Sequence, residues 1–440
     1  MPLLPLSTDP LRTHDADPSF SPSCRPPPWS NTDSPIVNDG QNTRFVAFLI
    51  ASRTARSIGQ GALSANFVLE LKHLGWSAPS IGMILTGGIV FSIFATLAIG
   101  PASDRLGRKK FLAGYELLQL FCALLGFLGE RGTPSDLILG FIAIVGGFGQ
   151  STGGGAGAFS PVEQSWLARL LPQARRGPVF SLNTASGFIG MALGALSGLY
   201  PLLFPGTDGL RRLATAVFLI VAAGAVIALL LILMVPDSLD RPETLSKETL
   251  REEWSLLKTL IGINALNGFS LGLYAPLMAY WFSVRFQKGP ESIGLAMSGG
   301  YLLAAIFSLF AGRMTSRWGT VRTVIAGRGL GLVFTLMIPL MPTFGLAVGA
   351  HILRVALNQS TIGARQALSI GLVGEGRRGL AASLHNVSMQ IPQSIGPVAG
   401  AALLAHGWLG LPFFLGALLQ GGYLTLYYRA FNKRDSPPAD

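Results

Sequence analysis

Gly100-Pro-Ala-Ser-Asp-Arg-Leu-Gly-Arg-Lys-Lys110 returns 212 residues later as Gly312-Arg-Met-Thr-Ser-Arg-Trp-Gly-Thr-Val-Arg322. Upstream, Ser80-Ile81-Gly82 with Thr86-Gly87-Gly88 returns at the same offset as Ser292-Ile293-Gly294 with Ser298-Gly299-Gly300. The repeat lies within apolar sequence, so the chain reads as two related halves embedded in a membrane. Two such halves rocking about a site held between them give a solute a path across.

Composition fits a lipid environment. Of 440 residues, 50% are hydrophobic and only 12% charged, with 55 glycines, far from the balance of a soluble domain. A span needs about 20 apolar residues. Twelve stretches qualify, near residues 44–70, 79–100, 111–130, 137–160, 178–201, 213–235, 254–282, 291–311, 323–341, 345–371, 380–405 and 408–430. The expected plan is an all-α membrane protein with a six-helix bundle at 44–235, a linker at 236–253 and a second bundle at 254–430. Residues 1–43, which include Pro26-Pro27-Pro28, and residues 431–440 read as cytoplasmic tails.

The net charge of +11 is spread over short connections rather than gathered on one soluble face, so it argues for topology and not for nucleic acid. Arg105, Arg108, Lys109, Lys110, Arg175, Arg176, Arg313, Arg317, Arg322, Arg377 and Arg378 outnumber Lys72, Arg131, Arg211, Arg212, Arg285 and Lys288 on the alternate side. That bias predicts both termini in the cytoplasm. Cys24 and Cys122 are too few and too far apart for a disulfide framework or a thiolate metal site.

The run Gly100-x-x-x-Asp104-Arg105-x-Gly107-Arg108-Lys109, with its degenerate copy Gly312, Arg317 and Gly319, resembles the signature loop of the major facilitator superfamily. The resemblance covers about residues 44 to 430 and implies twelve helices, alternating access and a small-molecule solute. It leans towards a drug or metabolite efflux branch, working as a monomer in a cell membrane, the inner one in a bacterium. It also implies a conformational latch in which Glu163 pairs with Arg105 or Arg108. Physically, Gly100 and Gly107 permit a tight turn, Asp104 suits a helix start, and ion pairs of about 0–1 kcal/mol suit a reversible latch. The alternative reading makes these charges topology determinants alone. Gly190-x-x-x-Gly194-Ala195-x-x-Gly198 partly resembles the fifth-span antiporter motif, with Ala195 where that motif has proline. Small residues at this spacing equally mark close helix packing. The intramembrane arginine usual in span four of that family is absent, its place falling near Gly149 and Gln150.

Ionisable groups within spans are costly and become functional candidates by default. Span one carries Arg53, Arg56 and Gln60 on one helical face, and span ten carries His351, Arg354, Asn358, Thr361 and Arg365. Asn264, Asn267 and Tyr274 in span seven, Asn386 and Gln390 in span eleven, and Gln150 in span four complete the candidate solute site. Hydrogen-bonding glue between helices is the competing role. Arg53, Arg56 and Arg354 outnumber Glu116, the one clear intramembrane acid, which favours a carboxylate- or phosphate-bearing solute. Glu116, His351 and His385 are the candidates for proton coupling.

Rival classes find little support. No Gly-x-x-x-x-Gly-Lys-Ser/Thr loop is present for an ATP-driven pump. The histidines, at 14, 73, 351, 385 and 406, are scattered, so neither an enzyme centre nor a metal site is expected, and no cofactor. The expected partners are a small-molecule solute, protons and the lipid bilayer. An importer of an anionic metabolite or chelate, and a non-transporting receptor of the same fold, stay open.

Overall fold

A computed structural model describes residues 39–130, 136–148, 160–171, 173–204, 209–236, 250–362, 365 and 378–432, and every regular element among them is helical. The elements are α1 (Asp39–His73), α2 (Ala78–Leu106), α3 (Arg108–Glu130), α4 (Asp136–Val145), α5 (Ser160–Leu170), α6 (Gln173–Ala195), α7 (Tyr200–Leu203) and α8 (Gly209–Leu233). They continue with α9 (Leu250–Tyr274), α10 (Met278–Phe286), α11 (Pro290–Trp318), α12 (Thr320–Met337), α13 (Phe344–Ser360), α14 (Arg378–Ala405) and α15 (Leu411–Phe431). Seven described stretches are long and apolar enough to cross a membrane. Of the expected tails at 1–43 and 431–440 and linker at 236–253, residues 1–38, 433–440 and 237–249 lie outside the described residues, while α1 already begins at Asp39 and α9 at Leu250.

Burial is inverted relative to a soluble protein. Met83, Phe94, Leu230 and Leu418 point outward, whereas Arg53, Glu116, Glu163, Arg328 and Arg354 are buried. Apolar side chains on the outside cost nothing against lipid, and charges gathered inside escape it. The polar rows of α1 and α13 therefore face protein.

Glycines set the closest approaches within each half. A side chain at Gly194 would run into the α1 backbone at Ile58, and one at Gly61 into that of Met191, so α1 and α6 touch backbone to backbone. The same device recurs between α9 and α14, where Gly272 meets Gly396 and Gly400 meets Leu273. The small-residue spacing of the fifth span thus serves packing, as close helix association in lipid requires.

Three elements differ from the spans expected. Span four is helical from Asp136 to Val145, and a new helix begins at Ser160. Span seven breaks between Tyr274 and Met278, because Pro276 has no N–H to continue the ladder. The loop expected at Gly100 to Gly107 is instead the last turns of α2, which runs to Leu106. Gly107 alone makes the turn, at φ 98°, and Gly319 repeats it at φ 84° between α11 and α12. Asp104 thus sits at a helix end and not at a helix start, and Gly100 and Gly312 lie inside helices.

The halves join at one end. A continuous apolar core runs from Ala62–Leu71 and Ile81 in the first half to Phe282, Ile293 and Tyr301 in the second. At the opposite end the apolar residues divide into two clusters, one around Leu49, Leu112, Trp166 and Ile232, the other around Leu260, Val321, Tyr423 and Phe431. Bonds between the halves follow the joined end. Ser64 meets the Tyr301 hydroxyl at 3.0 Å, Lys72 Nζ donates to Ser283 Oγ at 2.6 Å, and Thr86 Oγ1 donates to the Ser394 carbonyl at 2.7 Å.

Candidate functional site

The α1 face that carries Arg53 and Arg56 meets α3 and α5 in a buried quartet. Glu163, in the first turn of α5 behind Pro161, accepts from Arg53 Nη1 at 3.0 Å through one oxygen and from Arg56 Nη2 at 2.6 Å through the other. Asn183 of α6 adds a bond to Glu163 Oε1 at 3.1 Å. Glu116 of α3 is held more loosely, by Arg56 Nε at 3.3 Å, and neither of its oxygens has a hydrogen-bond partner. Tyr115 lies 5.9 Å from the Arg56 guanidinium and bonds Gln60 and Gln119. Two guanidinium groups against two carboxylates leave this site neutral.

That arrangement corrects two expectations. Glu163 is committed to Arg53 and Arg56 and not to the loop guanidinium of Arg108, which is itself buried. Likewise, the α1 arginines are not a surplus awaiting an anion, since a second acid that the sequence reading assigned elsewhere neutralises them. The side chains of Asp104, Arg105 and His385, and all of Gln150, lie outside the described residues, while Arg317 is exposed.

The second half builds a different site from equivalent helices. Arg354 of α13 lies 5.1 Å over the ring of Tyr274, where α9 ends, and its Nη2 is 3.4 Å from His351 Nδ1. The Arg354 Nε and the Tyr274 hydroxyl are buried without hydrogen-bond partners. The His351 ring meets Phe282 at 5.5 Å, and Gly300 of α11 lies beside its Nε2. Tyr301, one residue on, reaches Ser64 of α1. Arg354 therefore stands near the meeting of α1, α9, α11 and α13.

About one to two turns along α13 a further buried guanidinium appears, and the sequence reading passed over it. Arg328 of α12 is 1% exposed. It donates to Asn267 Oδ1 and, through Nε, to Thr361 Oγ1 at 3.2 Å, with the Tyr423 ring 5.5 Å away. Gln420 of α15 reaches the Arg328 carbonyl and Asn358 Oδ1. Asn264 donates to Ser388, and Asn267 Nδ2 and Arg365 Nη1 converge on Met389 Sδ. Asn386 and Gln390 are partly buried on α14, the Gln390 carbonyl oxygen without a partner. Among the described residues no carboxylate comes within ion-pair distance of Arg328 or Arg354.

The sequence held a signal for Arg328. It stands 212 residues after Glu116, the offset of the opening repeat, just as Asn264 and Asn267 stand 211 after Arg53 and Arg56. At an offset of 202, which also relates Arg175-Arg176-Gly177 to Arg377-Arg378-Gly379, Glu163 maps to Arg365. Where the first half places two arginines and two glutamates, the second places two asparagines and two arginines.

A family model described as Major Facilitator Superfamily matches residues 49–263 and 260–439. The metabolite transport protein YwtG of Bacillus subtilis, itself a putative assignment, is 29% identical over 30% of this chain and 27% of its own length. The D-xylose transporter of Levilactobacillus brevis is 30% identical over 28% of this chain and 24% of its own, so the chain matches only about a quarter of either relative. The quinolone resistance protein NorA of Staphylococcus aureus is 20% identical over 84% of this chain and 92% of its length. Among solved structures, a D-xylose-proton symporter superposes with TM-score 0.68 at 16% identity, over 88% of this chain and 97% of that one. The human organic anion transporter MFSD10 gives 0.60 at 13% identity, over 88% and 99%.

Proposed function

The chain belongs to the Major Facilitator Superfamily, a family of multi-pass membrane transporters, and from that premise we propose that it carries a small organic anion by alternating access, with protons as the coupling ion. The observation that supports this reading is the unequal neutralisation of buried arginines. Those of α1 are matched by Glu116 and Glu163, whereas Arg354, among the described residues, meets an aromatic face and an imidazole and no carboxylate. A guanidinium with an unused N–H in a dry site is a strong, directional receptor for carboxylate or phosphate. Its place near the inter-half bond of Ser64 and Tyr301 puts it where motion of one half against the other is felt.

Glu116 is the proton carrier in this reading. It is the less satisfied of the two acids, so adding a proton removes one 3.3 Å contact and leaves the Glu163 pairs intact. With both termini cytoplasmic, the joined core lies at the outer end and the structure corresponds to an inward-facing state. Export is the favoured direction, on the likeness to the quinolone resistance protein over most of both chains. Purified protein in sealed vesicles tests this: an imposed pH gradient is expected to drive accumulation of an organic anion, and Arg354→Gln to abolish it while the protein stays folded. Equal flux in wild type and variant would contradict the assignment. A folded wild-type protein with no flux for any solute would favour the receptor alternative.

A further inference from the structure

We infer that the second half holds a compact anion, chloride or an isolated carboxylate or phosphate group, against Arg328, in the place where the first half supplies its own carboxylates. The inference does not depend on the transported solute. A guanidinium that is 1% exposed and has no carboxylate within ion-pair distance among the described residues pays a large desolvation cost. Asn267, Thr361 and the Tyr423 ring are all neutral, and none repays that cost in full.

The groups around it are donors in search of an acceptor. Asn358 Nδ2 and the Tyr423 hydroxyl are buried without hydrogen-bond partners. Asn358 is linked through Gln420 to the Arg328 backbone carbonyl, and the Tyr423 ring lies 5.5 Å from the guanidinium. A guanidinium facing a ring whose hydroxyl is unpaired, with an unpaired amide N–H one hydrogen-bonded residue away, is a donor set that an anion can complete. The equivalent residue in the first half supports the assignment by inversion. There, Glu116 is the charge brought in, and Arg56 answers it. Here Arg328 is brought in, and Asn267, at the position of Arg56, brings a neutral amide.

The test uses purified full-length protein in detergent, titrated with sodium chloride, bromide, acetate or phosphate at ionic strength held constant with gluconate. Mass action predicts a saturable rise in melting temperature of about 3 °C for at least one of these. Response to chloride and bromide identifies an inorganic ion as the occupant, and response to acetate or phosphate alone identifies the anionic group of an organic molecule. Asn267→Asp, which supplies a carboxylate in place, is expected to melt higher without added anion and to lose the titration. Arg328→Lys is expected to keep a weakened response. Should Asn267→Asp fold poorly, anomalous scattering from bromide-soaked crystals locates the ion directly, with density expected beside Arg328. No saturable response in the wild type, an equal response in Asn267→Asp, or, where bromide gives a response, bromide density elsewhere would overturn the inference.

Discussion

Arg56 faces Glu116 in the first half; at the equivalent positions of the second, Asn267 faces Arg328. The same exchange recurs around Glu163, whose counterpart by register is Arg365. Duplication has kept the helices, the glycine turns at Gly107 and Gly319 and the backbone contacts of Gly194 and Gly396, yet the charges have diverged. Packing in lipid depends on shape and small residues, which tolerate little change. Buried charge depends on its partners, so the two halves are free to differ once each balances its own. In the first half the buried arginines Arg53 and Arg56 are matched by Glu116 and Glu163. Among the described residues of the second, Arg354 and Arg328 have no carboxylate within ion-pair distance, and in the proposed reading a bound anion supplies the balance.

The largest effect expected from breaking this contrast is at Glu163. Glu163→Gln leaves buried Arg53 without a carboxylate and Arg56 with Glu116 alone, a loss of about 3–5 kcal/mol, and a melting temperature lower by roughly 3–5 °C is expected in a thermal scan. An unchanged melting temperature would show that the quartet carries no structural load. Arg354→Gln is expected to leave stability nearly intact and to weaken anion binding by about 10- to 100-fold, the equivalent of one charge-assisted hydrogen bond. Titration calorimetry reads that change, and binding within twofold of wild type would place the anion elsewhere.

Glu116→Gln sharpens the comparison from the other side. Because a glutamine oxygen can still accept from Arg56 Nε and the Glu163 pairs stay in place, the variant is expected to lose less stability than Glu163→Gln. It should exchange solute across vesicles but no longer accumulate it under a pH gradient; persistent pH-driven accumulation would remove Glu116 from coupling. The smallest effect is expected at the joined end. Lys72→Ala removes the bond to Ser283 and a ring contact with Tyr280, together about 1 kcal/mol or less, and should shift the balance of states up to about fivefold towards opening there. Spin-label distances across that end would report the shift, and an unaltered distribution would show the contact to be incidental.

Much of this architecture was legible in the sequence because it rests on local periodicity. The opening repeat, the apolar lengths and the polar rows of α1 and α13 all follow from spacing along single helices. What spacing does not carry is which row meets which. Glu163 and Arg53 are 110 residues apart, and their pairing follows from the crossing of α1, α5 and α6. Arg328 forms no row of polar residues at three- or four-residue spacing along its helix, being flanked by Gly327 and Gly329, and its partners come from α9, Thr361 at the end of α13, and α15. The breaks in spans four and seven were likewise hidden, since apolar composition continues through Pro276 where the hydrogen-bond ladder does not.

A solute-bound structure tests the account most directly. It should place the anionic oxygens about 3 Å from the Arg354 guanidinium while Arg53 and Arg56 keep their bonds to Glu163. An anion seated on Arg53 or Arg56 with Glu163 displaced would contradict it.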